Sequence, residues 1–281
     1  MVGKILIPAQ RRQKIRQYLE DQGIAQSAAL GELLGVSEAT VRRDLERLEK
    51  EGVERTHGGA MLSQRLPKEP AYARSALAHP EEKRRIGRAA AELVEPGDTI
   101  FVNSGTTTTQ FVRALRGRPA LAGLTVVTNS LSAALEAREG GWETILVGGS
   151  FRPISNSVVG RFAVETLRQI YAAKAFLGVD GISLKFGCTT PISGEAEVAR
   201  QMIEHARGSV VIVADHSKWG VVSNFPLASL DEIDVLVADD GLAPQWRREL
   251  EARRVSVRIA ESEHGDGARN ALGRPEPIAA R

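Results

Sequence analysis

Apolar positions three and four residues apart set the pattern of the first sixty residues. Ile15, Tyr18 and Leu19 share one side of a helix predicted from about Arg11 to Gln22, with Gly23 as its stop. Ser27 reads as the N-cap of a second helix that turns Leu30, Leu33 and Leu34 inward. Gly35 and Val36 make a tight turn, and Ser37 caps a third helix from Glu38 to Lys50. Val41, Leu45 and Leu48 form its apolar stripe, which leaves Ala39, Arg43, Glu46 and Arg47 on the far side with Thr40 and Arg42 flanking. The run Arg55-Thr-His57-Gly-Gly then suits a hairpin; the alternative is that Gly58 and Gly59 merely open a linker.

From about residue 81 to 260 the texture changes to short apolar runs alternating with amphipathic stretches. The runs predict strands at Thr99–Val102, Leu124–Thr128, Thr144–Val147, Ala175–Val179, Ser209–Ala214, Val235–Ala238 and Val255–Ile259. Helices are predicted between them, at Glu81–Val94, Thr108–Leu115, Leu131–Arg138, Ala163–Gln169, Glu195–Ala206 and Pro244–Ala252. That alternation implies an α/β domain with a mostly parallel sheet. The chain thus divides into a small domain at 8–63, a linker at 64–80 carrying Pro67, Pro70 and Pro80, the α/β domain at 81–260, and a tail at 261–281 expected to be disordered.

Composition narrows the classes. With 42% apolar and 26% charged residues the chain reads as soluble and globular. The single Cys188 excludes a disulfide framework and a cysteine-based zinc site, and the five histidines show no metal spacing. No run reaches the roughly 18 apolar residues of a membrane span. Ile5–Ile7 is too short for a secretory core, so the expected setting is the cytoplasm. The net charge of +2 only permits a nucleic-acid partner. Residues 1–60 hold ten Lys/Arg against nine Asp/Glu, so any such argument rests on where the cations sit.

They sit well for it. Arginine bridges guanine O6 and N7 or clamps a phosphate, and small side chains touch a thymine methyl. A capped helix presenting Ser37, Ala39, Thr40, Arg42, Arg43 and Arg47 therefore suits the major groove, with Arg55 and His57 at a hairpin beside it. The competing reading is a solvated face in which Asp44, Glu46 and Glu49 neutralise the arginines. The run Leu33-Leu-Gly-Val-Ser-Glu-Ala-Thr-Val-Arg-Arg-Asp-Leu45, then Leu48, Gly52 and Thr56-His-Gly-Gly-Ala60, resembles the DNA-binding module of the DeoR family of repressors over about residues 8–63. That resemblance implies a winged helix-turn-helix on double-stranded operator DNA.

In the larger domain the key stretch is Asp98-Thr-Ile-Phe-Val-Asn103-Ser-Gly-Thr-Thr-Thr-Thr109. A strand ends at Asn103, Gly105 allows a sharp reversal, and hydroxyl residues open a helix. Ser104, Gly105, Thr106, Thr107 and Thr108 so offer amides and hydroxyls to an anion, phosphate above all. Asn129 and Ser130, Gly148 and Gly149 with Arg152, Asp180, and Lys218 end or follow other strands, and ligands of open α/β sheets gather at strand ends. Arg152 and Lys218 suit a phosphate; Asn129 and Asp180 suit hydroxyls. Each also has a plainer reading as a turn residue, a crowding relief or an exposed lysine.

Ser104-Gly-Thr-Thr-Thr, Thr128-Asn-Ser130, Gly148-Gly149, Ala175-Phe-Leu-Gly178, Asp180-Gly181 and Asp215-His-Ser-Lys218 match in order the DeoR family's sensor domain over about residues 81–240. The resemblance implies a ribose-5-phosphate-isomerase-like fold that binds a phosphorylated sugar or polyol as effector, needs no cofactor, and assembles as a homo-oligomer, dimer or tetramer. Two positions depart from the pattern: Asn103 stands where the family usually has Asp, and Ala199 where it usually has Lys, with Arg200 next along the helix. The rival class is a phosphosugar isomerase carrying a DNA-binding module. Asp180, Glu195 and Glu197 are available bases, but the departures at 103 and 199 weaken it, and Asp215-His216-Ser217 is no triad because neighbours on a strand face opposite ways. No catalytic residue is therefore expected.

Overall fold

The computed structural model describes residues 6–22, 24–49, 53–55, 58–62, 64–65, 71–118 and 121–262. His57 and the tail from residue 263 onward lie outside them, so the sequence expectations there have no structural counterpart.

At the N-terminus α1 (Pro8–Gln22), β1 (Ile24–Gln26), α2 (Ser27–Leu34) and α3 (Glu38–Leu48) lead into β2 (Val53–Arg55) and β3 (Gly59–Leu62). Ile15, Leu19, Leu30, Leu34, Val41, Leu45 and Leu48 form the core of this head, closed by Ala25, Val53 and Ala60 from the strands. Gly35 ends α2 in the left-handed conformation (φ 64°), which a side chain would strain. Leu33, read as inward-facing, is instead 54% exposed, because the Leu30–Leu34 pair at i, i+4 takes the buried side and Leu33 falls on its flank. Ser27 is the first residue of α2, and Gln26 occupies the cap position.

The hairpin expected after α3 is present as β2 antiparallel to β3, and β1 adds to the other side of β3, giving the order β1-β3-β2. Gly59 is a strand residue of this wing and does not open a linker. A Cβ there would lie 1.9 Å from the Ala25 carbonyl oxygen, so only glycine lets β3 approach β1. Gly59→Ala should unfold the head and spare the larger domain, since overpacking of this kind costs about 1–3 kcal/mol or more. All three tryptophans (Trp142, Trp219, Trp246) lie beyond residue 81, so a loss of helical circular dichroism at an earlier temperature than the tryptophan transition is the expected result.

The stretch read as a linker carries structure. β4 (Gln64–Arg65) and α4 (Tyr72–Leu77) precede α5 (Pro80–Ala91), with His79 at the junction in a left-handed conformation, φ 51°. Then follow β5 (Thr99–Val102), α6 (Thr106–Leu115), β6 (Thr125–Thr128), α7 (Leu131–Ala137), β7 (Glu143–Leu146), β8 (Ser150–Arg152), β9 (Ser157–Val159), α8 (Arg161–Leu167), β10 (Ala172–Gly178), β11 (Gly181–Ser183), β12 (Gly187–Thr190), α9 (Ser193–Glu204), β13 (Ala206–Val213), β14 (Val221–Val222), β15 (Phe225–Ala228), β16 (Val235–Asp239), α10 (Pro244–Ala252) and β17 (Ser256–Ala260).

Seven of these strands form one parallel sheet in the order β17-β16-β13-β10-β5-β6-β7. They are the seven predicted, with ends shifted by up to three residues. Successive side chains alternate between two cores, as a pleated strand buried on both faces requires. Ile100 and Val102 join Val211, Val213 and Phe111 on the face covered by α5, α6 and α7. Phe101 joins Val210, Ile212, Met202 and Trp246 on the face covered by α8, α9 and α10. Phe111 and Phe176 stack with centroids 4.2 Å apart and are fully buried; truncating such a side chain costs about 3–5 kcal/mol. β7 departs from the expectation of two buried faces: it is an edge strand, and Leu146 is 42% exposed. A small antiparallel sheet, β11-β12-β15, and the hairpin β8–β9 were not predicted. They matter here because they flank the strand ends.

Strand order reverses between β5 and β10. The chain runs outward from β5 through β6 to β7, and then from β10 through β13 and β16 to β17. Helices at such a switch point diverge to opposite faces and leave a crevice beyond the carboxyl ends of the two strands.

Candidate DNA interface and strand-end cleft

In the head, Ser37 caps α3 by accepting from the Thr40 N–H at 3.4 Å, and its hydroxyl lies 3.0 Å from that of Thr40. Ala39, Arg42, Arg43, Glu46 and Arg47 are exposed and Thr40 is half-buried, so the predicted face is the outer face. The pairings leave part of that face unneutralised. Asp44 points inward and accepts from Arg11 Nε at 2.8 Å, with Arg12 3.6 Å away, tying α1 to α3. Glu46 holds Arg55 at 3.4 Å, and Arg42 pairs with Glu38 at 3.5 Å. Arg43 and Arg47 have no ion-pair partner among the described residues. Exposed pairs such as Arg42–Glu38 and Arg55–Glu46 are worth about 0–1 kcal/mol, little enough for a phosphate to displace them.

The second surface is the crevice at the switch point, a cavity of about 80 Å³. Ser104, Gly105, Thr106 and Thr107 line one side, Gly178, Val179 and Asp180 another, with Lys218, Glu195, Pro191, Ser155, Tyr72 and Ser75 around them. Of the predicted set, Ser104, Gly105, Thr106, Thr107, Asp180 and Lys218 are thus brought together. The first helical bond of α6 runs from Thr109 N–H to Gly105 O at 3.0 Å, which leaves the amides of Thr106, Thr107 and Thr108 outside the helical pattern. Lys218 makes no ion pair or hydrogen bond through its side chain among the described residues.

Other predicted residues build the cleft without lining it. Asn103 clamps the neighbouring strand: its amide donates to Gly178 O at 2.9 Å and its oxygen accepts from Gly178 N–H at 2.8 Å. Asn129 accepts from Ser104 N–H at 3.0 Å and donates to Val158 O at 3.0 Å. Ser130 caps α7 by accepting from Ala133 N–H at 3.1 Å. The Thr108 hydroxyl is fully buried and donates to the Asn103 and Gly105 carbonyls. With Thr109 also bonded to Gly105 O, two of the four threonines are loop fasteners, which the run of hydroxyls could not reveal. Gly148 and Gly149 are exposed at the turn into β8, where a Cβ on Gly149 would lie 2.6 Å from Val159 O. Arg152 lies 3.7 Å from Glu195, whose other contact is the Ser157 hydroxyl at 2.8 Å.

The two departures resolve differently. Ala199 is fully buried in the core, and Arg200 pairs with Glu232 at 2.7 Å, so Arg200 supplies no charge to the cleft. His216 bonds Asp239 through Nδ1 at 2.7 Å and touches the His79 ring, away from Ser217. Among the described residues no group of His, Cys, Asp and Glu could hold a metal ion. None of their helices is long and apolar enough to cross a membrane. Glu195, Tyr72 and Ser75 are cleft residues the site expectation omitted; the only sign of the last two was a Gly- and Pro-free run, 71–79, inside the proline-rich stretch.

Burial pushes the Asp180 carboxyl above its ordinary range; Lys218 and the Thr190 hydroxyl pull it back, and Glu195 adds to the rise. A folded pKa above the unfolded one means that the ionised form costs stability at neutral pH, and that the cost fades as pH falls through the carboxylate range. Asp180→Asn should therefore raise the melting temperature of ligand-free protein at pH 7, and the gain should vanish near pH 4 (about the unperturbed Asp pKa). Calorimetric scans at the two pH values check both halves.

An arginine-faced helix-turn-helix joined to a domain with a strand-end cleft is the build of a ligand-responsive transcriptional regulator. Residues 11–65 match the DeoR-like helix-turn-helix domain and residues 78–240 the DeoR C-terminal sensor domain, and the chain belongs to the DeoR family. It is 35% identical over 253 residues to the HTH-type transcriptional regulator GlpR of Haloferax volcanii, covering 90% of this chain and 98% of that protein. It is 33% identical over 254 residues to the HTH-type transcriptional repressor GlcR of Bacillus subtilis, covering 89% and 96%. The transcriptional repressor AccR of Agrobacterium fabrum is 33% identical over 236 residues, covering 82% and 89%. Among solved structures, ribose 5-phosphate isomerase A from Methanocaldococcus jannaschii aligns with a TM-score of 0.39 at 18% identity, over 50% of this chain and 55% of that one.

Proposed function

We propose that this regulator is a cytoplasmic, homo-oligomeric repressor of a sugar or polyol operon, released from its operator when a phosphorylated sugar or polyol fills the cleft. One observation carries the effector class: helix-start amides, hydroxyls, a lysine and two carboxylates line the same cleft. Thr106 and Thr107 amides and hydroxyls with the Lys218 ammonium offer donors suited to a phosphate. Asp180 and Glu195 offer acceptors suited to hydroxyl groups. A molecule with a phosphate and a hydroxylated chain satisfies both. On this reading Asn103, Thr108, Asn129 and Ser130 shape the walls, and the chain is not an enzyme.

On DNA, Arg43 and Arg47 of α3 read bases or clamp phosphates in the major groove, while Ser37, Thr40, Arg42 and Arg55 meet the backbone. Two heads in a symmetric oligomer require half-sites about 10 base pairs, or a multiple, apart. Effector and operator then oppose one another by linkage: whatever factor the effector takes from operator affinity, the operator takes from effector affinity. The test is a gel-shift assay on DNA upstream of the gene, with and without a panel of phosphorylated sugars and polyols. Retarded DNA released by one of the panel supports the proposal. Protein that ignores every duplex at low salt, or turns the sugar phosphate over, overturns it.

A further inference from the structure

We propose that Tyr72 and Ser75 contact the effector, and that α4 through them reports cleft occupancy to the DNA-binding head; this rests on the effector reading above. The segment that joins the head to the large domain is itself a wall of the cleft, since α4 supplies both residues to its lining. Ser75 is poised for it: its hydroxyl has no partner among the described residues. Six residues are too few to hold a helix by their own hydrogen bonds, and none of the six is buried; Leu77 is 83% exposed. With no apolar anchor, the position of α4 is set by a few polar contacts.

Those contacts lead back to the cleft. The Tyr72 hydroxyl donates to Thr109 Oγ1 at 2.9 Å, and Thr109 in turn fastens Gly105 of the amide cradle. The Tyr72 N–H donates to Ile154 O at 2.7 Å, next to the cleft residue Ser155. Lys83, nearly buried on α5, donates to the Ser75 and Ala78 carbonyls at 2.6 and 2.5 Å. Its ammonium also lies 3.9 Å from Asp215 Oδ2, which is buried without a hydrogen-bond partner. That pair stands about 1 Å short of hydrogen-bond distance, so a small displacement of α4 opens or closes it. Asp215 begins the turn that carries Lys218, and just beyond it β14 pairs in parallel with β4, Val221 opposite Gln64 and Val222 opposite Arg65. The chain leaving the head therefore meets the large domain at two places, one beside the cradle and one beside the cleft lysine. An element this weakly held is one whose population a ligand can shift.

The experiment uses the full chain, operator DNA, and four probes: inorganic phosphate, ribose 5-phosphate, glucose 6-phosphate and ribitol 5-phosphate. Calorimetry gives probe affinity. Fluorescence anisotropy gives the ratio of operator Kd with and without the tightest probe. Hydrogen exchange reads residues 71–83, and melting curves confirm that each variant is folded. Ser75→Ala should weaken the tightest probe about 5- to 10-fold, the effect of one lost hydrogen bond. Tyr72→Phe, which removes only the hydroxyl, should shrink the operator ratio by a similar factor, about 5- to 10-fold. Exchange across 71–83 should slow when the probe binds wild-type protein. Wild-type probe affinity in Ser75→Ala together with a wild-type ratio in Tyr72→Phe, or exchange indifferent to the probe, overturns the inference. Thr107→Ala separates the two levels. If it loses the probe while the α4 variants are silent, the cleft stands and the role of α4 falls. If no probe binds wild-type protein, the effector reading falls and this inference with it.

Discussion

Arg43→Ala should leave a folded protein that distinguishes its operator from other DNA far less well. Arg43 stands on the exposed face of a helix capped by Ser37, and no described carboxylate competes for its guanidinium. A bidentate arginine contact to a guanine contributes about 1–3 kcal/mol of discrimination, so operator affinity should fall about 10- to 100-fold toward the non-specific level. Effector binding, which depends on the other domain, should not change. Arg42→Ala is the internal comparison: with its partner Glu38 on the same helix it should weaken all duplexes alike and reduce the salt dependence. Anisotropy titrations at two salt concentrations separate the patterns. Wild-type operator affinity in Arg43→Ala would mean that α3 does not read the groove.

The second large effect is in the cleft. Thr107→Ala combined with Lys218→Ala should give a repressor that binds its operator and cannot be induced. Lys218 is the cation among the residues lining the cleft, and Thr107 lines it from the first turn of α6. Charge-assisted hydrogen bonds to phosphate are worth about 1.5–3 kcal/mol each. Losing both groups should therefore weaken the effector by about 10²- to 10⁴-fold, beyond inducing concentrations. The measurement is operator release as a function of effector, by gel shift, alongside melting curves that show the domain intact. Normal induction in the double variant would remove the phosphate site from the cleft.

Much of this architecture was legible because local chemistry and tertiary burial agree. The seven sheet strands are short apolar runs, and strands buried on both faces leave that mark whatever their neighbours. The head was legible because the Ser37 cap, the Gly35 turn and the Val41–Leu45–Leu48 stripe are local signals. The small sheet β11-β12-β15 was not, since its strands are three or four residues of mixed polarity and β15 joins it from nearly forty residues further along the chain. The polar strand ends were found, but the direction each side chain takes was not. Asn129 and Ser130 are as polar as Ser104, yet their bonds run to Val158 and Ala133 inside the protein. A sequence records hydrogen-bonding capacity; only the packed neighbours decide whether a ligand or a backbone uses it.

The Asn103 clamp sets how the mouth of the crevice responds to acidity. The two halves of the sheet meet along β5 and β10, and at their open end the seam is stitched by one carboxamide giving Gly178 both a donor and an acceptor. An aspartate of the same shape offers only acceptors until it takes up a proton. Asn103→Asp would set one oxygen against the Gly178 carbonyl and turn the mouth of the crevice into something that acidity draws shut. The clamp as it stands is indifferent to acidity, because an amide does not titrate.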